Sequence, residues 1–185
     1  NIISADELSS LLAGLRKILL AQTRSEFVIK PEQEDCHTAI EEQLTAELGD
    51  VGRKIHTGRS RNDQVMVAMR LLLRQRVVDI LEGVVALARS FEGRYRKDGD
   101  VPMPGYTHLQ LAMPSSIGMW LHSFLEGALE LIADGRRLLE ALDSNPSEVA
   151  SGFGVPLALD RELSTRLLGF AQTQRNPINV ISSRG

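Results

Sequence analysis

Two long helical patterns constrain the fold of this chain more than any other feature. The first pattern steps mostly by four and three positions through one arginine and seven apolar residues: Val65, Met69, Leu72, Arg76, Ile80, Val84, Leu87 and Phe91. The second alternates four and three without a break: Ile117, Leu121, Phe124, Ala128, Leu131, Gly135, Leu138 and Leu142. Such spacing is typical of long helices packed side by side. The patterns therefore predict two rods, each about 40 Å long at 1.5 Å per residue.

The segment between the rods, Pro102 to Pro114, contains prolines and a glycine and predicts a turn. A short connection makes the rods antiparallel neighbours in a bundle. Each Leu or Ile on such a seam contributes about 1.5–3 kcal/mol only when another surface covers it. Because the chain has few further helices, we expect it to associate with other copies of itself. The expected fold class is all-α.

Shorter helices are predicted on both sides of the rods. Apolar periodicity from Ser4 to Leu20 begins with Ser4 as N-cap and Glu7 three residues later. A second helix runs from about Asp35 to Leu48 and stops at Gly49, and a third covers about 160–168. We expect residues 1–56 to form part of a small N-terminal helical domain and residues 57–185 to form part of a central helical bundle.

Composition and charge exclude several classes of protein. The net charge of −3 and the dispersed basic residues give no electrostatic footprint for a nucleic acid. No apolar run approaches the ~20 residues that cross a bilayer, so no membrane partner is expected. The single cysteine, Cys36, cannot form an intrachain disulfide, and we expect a reducing, cytoplasmic location. The chain begins at Asn1 without a leader pattern, and we expect it to be an internal piece of a longer protein.

The first candidate site is the polar segment His56–Gln64, directly before the first rod. It has a plain structural interpretation, because Thr57 or Ser60 followed by Asp63 would cap a helix. Two arginines and an amide at the positive end of a helix would also bind carboxylates well. Composition alone leaves both interpretations open.

The second candidate is the segment Pro104–Gln110, which gathers Thr107, His108 and Gln110 between the rods. Histidine titrates near neutral pH and can transfer protons, although a loop histidine bonded to a carbonyl is the commoner case. A third group, Asp35, His37 and Glu41, lacks a further ligand at suitable spacing, so no metal site is predicted. We expect Cys36, beside them, to be a small buried residue.

These segments carry a family resemblance. Residues 56–64 read HTGRSRNDQ and residues 104–110 read PGYTHLQ, and both resemble signatures of the argininosuccinate lyases. The first is specific to that family and to the related delta-crystallins, whereas the second is shared with adenylosuccinate lyase, fumarase and aspartase. Residues 35–38 resemble the family's Asp–x–His–Thr segment, and residues 160–162 its Asp–Arg–Glu helix start. The resemblance therefore covers essentially the whole chain.

The resemblance implies a homotetramer of helical bundles that splits argininosuccinate into fumarate and arginine without cofactor or metal. It implies that Asn62 and Thr107 bind the substrate, that Thr107 and His108 form the catalytic pair, and that His108 acts in proton transfer. A supporting shell around the carboxylates would consist of Arg59, Ser60, Arg61 and Gln110. Two further residues, Asp35 and His37, are implied as substrate contacts or as neighbours of those contacts.

Several departures from the family pattern are visible. The Gly- and Ser-rich loop with the serine assigned as catalytic base does not occur in this sequence, nor does the N-terminal serine segment. Residues Ser147–Glu148–Val149 stand where the family commonly has Leu–Gly–Ser, and Met113 replaces a frequent Gln. We therefore expect this chain alone to turn substrate over poorly. The alternatives are a structural protein like delta-crystallin and a sister lyase acting on adenylosuccinate or aspartate.

Overall fold

The computed structural model describes residues 2–182 and is mostly helical, which confirms the predicted class. Its helices are α1 (Ala5–Thr23), α2 (Cys36–Leu48), α3 (Asp50–Arg53), a 3-10 turn (Lys54–His56), α4 (Arg61–Asp98), α5 (Ile117–Leu142), α6 (Arg161–Leu167) and α7 (Pro177–Ser182). Its strands are β1 (Pro102–Thr107), β2 (Gln110–Ser116), β3 (Ser144–Asn145) and β4 (Gln172–Thr173). Within residues 2–182, no helix combines the length and the apolar character needed to cross a membrane.

Contacts divide the chain into two compact units. The first consists of Asn1–Met66, Pro146–Arg161 and Gln174–Gly185. Its core forms where α1 packs on α2 through Leu11, Ile18 and Leu44. The predicted caps are confirmed, since Ser4 and Glu7 form a capping box at the start of α1 and Gly49 ends α2. Local sequence therefore determines where these two helices begin and end.

The second unit consists of Val67–Asn145 and Glu162–Thr173, and most of it is the pair of rods. The ring of Phe91 on α4 stacks on Phe124 of α5 with centroids 5.4 Å apart. Nearer the end of α4, Tyr95 meets His122 edge-on at 5.9 Å. The later residue of α4 thus contacts the earlier residue of α5, so the two helices run antiparallel, as predicted. The bounds of α5 agree with the predicted pattern.

The residues of each rod that are covered differ in part from those that the pattern predicted. On α5 the buried and half-buried positions are Ile117, Gly118, Leu121, Leu125, Gly127, Ala128, Ile132, Gly135, Leu139 and Leu142. Half of these are predicted positions, whereas Phe124, Leu131 and Leu138 are exposed. On α4 the covered repeat is Arg70, Arg74, Val77, Leu81, Val84, Ala88 and Phe91. The prediction misplaced the phase because both helices carry apolar residues on more than one face. Phe124 stacks on Phe91 of α4 and still leaves 45% of its surface exposed.

The turn between the rods is an antiparallel hairpin, which the sequence did not predict. Strands β1 and β2 pair from Pro102↔Ser116 to Thr107↔Gln110. The two loop residues, His108 and Leu109, have φ of 49° and 62°. Positive φ at both central residues is what a type I′ hairpin loop requires. Prolines fit this ribbon because both of its strands are edges, where a missing N–H leaves no ladder bond unmade.

Candidate functional site

The segment that precedes α4 caps that helix, as the structural interpretation predicted. The hydroxyl of Ser60 accepts a hydrogen bond from the Asn62 N–H at 3.2 Å. The Ser60 N–H donates in return to Asp63 Oδ1 at 3.0 Å. Helix α4 then begins at Arg61. The alternative cap, Thr57, instead follows the last residue of the 3-10 turn. Capping and substrate binding can share one segment, because the cap uses the side chains of Ser60 and Asp63 and does not use the guanidinium of Arg59.

Asp63 is the most deeply buried charged residue of this region, with 1% of its surface exposed. Its Oδ2 accepts hydrogen bonds from the N–H groups of Val149 at 3.1 Å and Ala150 at 3.0 Å. Burial raises the pKa of the Asp63 carboxyl, and the three N–H donors and Arg59 oppose that rise. The carboxylate therefore ties the start of α4 to the loop that begins at Pro146.

Arg61 joins the starts of α4 and α2. Its Nε lies 3.0 Å from Asp35 Oδ2, and its Nη2 donates to Thr38 Oγ1 at 3.0 Å. Asp35 also caps α2, because its Oδ1 accepts from the Thr38 N–H at 2.9 Å. Partial burial raises the pKa of Asp35, but the Thr38 N–H and the charges of Arg61 and His37 outweigh it, so this pKa lies below its usual value. Both residues thus hold the framework of the site, and their contact with substrate stays a prediction.

His37 lies beside this ion pair. Burial lowers the pKa of its imidazole; Asp35 opposes that shift, whereas Arg61 and His56 add to it. The neutral ring is therefore favoured near pH 7. His56 Nδ1 lies 3.6 Å from Glu41 Oε2. The expected burial of Cys36 is wrong: its side chain is exposed, because it occupies the first turn of α2 on the solvent side.

Arg59 faces a carboxylate that sequence analysis did not connect with it. Its Nη2 lies 3.8 Å from Oε1 of Glu148, whose side chain is 8% exposed, whereas the Arg59 side chain is 41% exposed. Glu148 has a φ of 64°, a left-handed conformation that glycine adopts more readily. A glycine, which the resemblance described above implies at this position, would adopt that conformation without strain. The departure at Ser147–Glu148–Val149 was the only sequence signal for this contact.

The second cluster lies at the tip of the hairpin. Thr107 and Gln110 are paired across the ribbon, and His108 forms the loop with Leu109, which is 97% exposed. All four residues are exposed in this chain. The predicted site residues thus form two groups. The first cluster, in the first unit, consists of Asp35, His37, Arg59, Ser60, Arg61 and Asn62. The second cluster, in the second unit, consists of Thr107, His108 and Gln110.

A chain of long antiparallel helices, with polar residues gathered at a helix start and at a hairpin tip, is typical of part of a helical-bundle protein. Comparison with protein families gives a narrower result. The chain belongs to the lyase family, whose model matches residues 1–185.

Individual relatives agree with that family. An argininosuccinate lyase of Stenotrophomonas maltophilia is 44% identical over the whole chain, and one of Phocaeicola vulgatus is 41% identical. The chain spans 43% and 42% of the lengths of these relatives. Among solved structures, an EDDS lyase variant with bound fumarate is similar with a TM-score of 0.87 and 25% identity, over 98% of this chain and 35% of the other. A fumarate lyase and delta-crystallin relative from Brucella melitensis has a TM-score of 0.70 at 19% identity, over 99% of this chain and 45% of the other, and supports the fold alone.

Proposed function

We propose that this chain is part of an argininosuccinate lyase of arginine biosynthesis, acting in the cytoplasm. In the proposed reaction, a proton leaves the succinyl carbon, the C–N bond breaks, and a proton reaches the departing guanidinium nitrogen, giving fumarate and arginine. The observation that carries this proposal is the grouping of Arg59, Ser60 and Asn62 around the first turn of α4. Relatives that are 41–44% identical over the whole chain and bear that name support it.

The first cluster has the chemistry to hold the succinyl carboxylates. An exposed guanidinium at Arg59, the Asn62 amide and the positive end of helix α4 all favour the binding of anions. Removing a proton beside a carboxylate creates an enolate with extra negative charge on the same oxygens. Donors already fixed in place stabilise that charge without reorganising. In the proposed site these groups bind the substrate and stabilise the enolate.

The second cluster supplies the residue that transfers a proton. Histidine has an unperturbed pKa of about 6.5 and gives or accepts a proton readily near neutral pH. In the proposed mechanism His108 transfers a proton directly or tunes a partner, Thr107 binds the substrate, and Gln110 supports it. These side chains are exposed in this chain, whereas acid–base catalysis is most effective where water is excluded. Another subunit would provide that cover.

The proposed assembly is a homotetramer. Phe124, Leu131 and Leu138 follow one another at seven-residue spacing on α5 and are exposed by 45%, 59% and 48%. A repeating apolar stripe of this kind is typical of a helix interface that is filled by a neighbouring helix. Assembly would bury the stripe and bring the two clusters of different subunits into shared sites. The chain alone would then release fumarate slowly or not at all.

The test is fumarate release from argininosuccinate by the parent chain, meaning this protein extended to the length of its relatives. We expect release by the parent chain and a loss of about 10²–10⁴-fold in kcat for His108→Asn, the range typical of a general acid or base. His122→Asn is the matched control, because His122 is an exposed histidine on α5. Absence of fumarate from the unaltered parent chain would contradict the proposal and favour a structural role or a sister substrate.

A further inference from the structure

Glu148 is an acidic residue whose position is unfavourable for two reasons, its backbone conformation and its burial. Its backbone is left-handed, with φ of 64°, and its side chain is 8% exposed. Carboxylates are rarely buried unless they are paired, and a cationic partner is present in Arg59, with 3.8 Å between Nη2 and Oε1. A residue that remains in a strained, buried position is a candidate for a functional role.

Hydrogen bonds hold the loop that carries Glu148 against the candidate site. The two residues that follow it, Val149 and Ala150, donate their N–H groups to the buried carboxylate of Asp63. Asp63 in turn accepts from Ser60, the cap of α4. The backbone at Glu148 is therefore held near Arg59 by contacts that involve neither the Glu148 nor the Arg59 side chain.

The electrostatic consequence concerns anions. The first cluster contains two arginines, and the side chain of Arg59 is more exposed than that of Arg61. Arg61 is bound to Asp35 and Thr38. A fixed negative charge about 4 Å from a guanidinium offsets much of the attraction that the guanidinium exerts on an incoming carboxylate. Glu148 thus lowers the positive potential around Arg59.

We propose that Glu148 is a specificity-determining residue whose pairing with Arg59 weakens the binding of dicarboxylates such as fumarate. The inference rests on the proposed function, because it assumes that Arg59 contacts the succinyl carboxylates. Weaker binding of a dicarboxylate product favours its release. A glycine at this position removes the Glu148 charge from beside Arg59, so relatives with glycine there should hold fumarate more tightly.

The test is the Kd of fumarate for the parent chain, measured by titration calorimetry. Glu148→Gln removes the charge and keeps the side-chain size, and we expect it to tighten fumarate binding on the order of tenfold. In an Arg59→Gln background the same substitution should change the Kd by less than about twofold, because the effect acts through that guanidinium. An unchanged Kd in Glu148→Gln, or an equal gain without Arg59, would overturn the inference.

Two glycine variants separate charge from backbone strain. Ala150 is left-handed as well, with φ of 52°, so Ala150→Gly relieves strain without changing charge. We expect Glu148→Gly to tighten fumarate binding and Ala150→Gly to leave it unchanged. Equal tightening by both variants would mean that strain sets the affinity and would overturn the inference. If neither the parent chain nor Glu148→Gln binds fumarate, the inference fails at the binding step, whereas fumarate release with an unchanged Kd refutes it and leaves the lyase proposal standing.

Discussion

The side chain of Asp63 and the backbone of Val149 are joined by a hydrogen bond of 3.1 Å between residues 86 positions apart in the sequence. A second N–H, that of Ala150, reaches the same oxygen at 3.0 Å. Through this carboxylate the loop that carries Glu148 is tied to the helix start that carries Asn62. The first cluster therefore depends on a residue that contacts no substrate in the proposed mechanism.

Asp63→Asn tests that dependence. The amide keeps the size of the carboxylate but replaces one acceptor by a donor, so at least one buried N–H among Ser60, Val149 and Ala150 loses its partner. An unsatisfied buried donor costs about 1–3 kcal/mol. We expect the apparent free energy of unfolding of the parent chain, from urea titration at fixed protein concentration, to fall by that amount.

The matched control for this substitution is Asp134→Asn. Asp134 pairs with Arg137 on the exposed surface of α5, with 71% of its side chain exposed. Exposed ion pairs of this kind contribute about 0–1 kcal/mol. Equal destabilisation by the two substitutions would contradict the special position of Asp63.

The pH dependence of the free energy of unfolding should show the contribution of His37. Burial holds the pKa of its imidazole in the folded chain below the unfolded value, so folding favours the neutral ring. Its contribution to stability is present above the unfolded pKa of about 6.5 and is lost as the pH falls through the folded pKa. As the pH falls below about 6.5, we expect the free energy of unfolding to fall more steeply in the parent chain than in His37→Gln. Removing exposed His122 in the same way provides the control, and identical slopes for the parent chain and His37→Gln would refute the assignment.

The exposed stripe on α5 should govern assembly. Leu131→Glu places a charge among apolar residues that a neighbouring subunit would cover, and burying an unpaired charge is strongly unfavourable. We expect the variant to dissociate to smaller species in sedimentation velocity while its α-helical circular dichroism is largely kept. Glu130→Lys changes the charge of the neighbouring exposed position and serves as control. A tetramer of unchanged stability in Leu131→Glu would show that the stripe is not an interface.

Features set by neighbouring residues could be predicted from the sequence. The capping box of Ser4 and Glu7 and the stop at Gly49 each depend on residues within one helical turn, and the structure has both. Helix α5 begins and ends where its pattern does. The hairpin was missed because its residues 102–116 include three prolines, which usually argue against a strand, and because positive φ at His108 and Leu109 is not encoded by glycine.

Features set by distant residues could not be predicted. No local pattern connects Asp63 with Val149 or Arg59 with Glu148, because these contacts arise only when the loop folds onto the helix start. The phase of the rods also depends on which apolar face meets which neighbour. For the candidate site, the motifs predict the residues, and the structure adds that Arg61 pairs with Asp35 and that Cys36 is exposed. The catalytic and binding roles and the domain boundary near His56 stay predictions.

The central claim is that the first cluster of one subunit and the hairpin of another form one lyase site, and mixed oligomers test it most directly. Two parent-chain variants, Asn62→Ala and His108→Asn, are each expected to release little fumarate. They are unfolded together in equal amounts, refolded, and assayed with argininosuccinate. If each site combines Asn62 and His108 from different subunits, about a quarter of the sites regain both intact residues and a corresponding fraction of activity returns. Activity no higher than that of the separately refolded variants would contradict the claim, because it would mean that both residues of a site come from one chain.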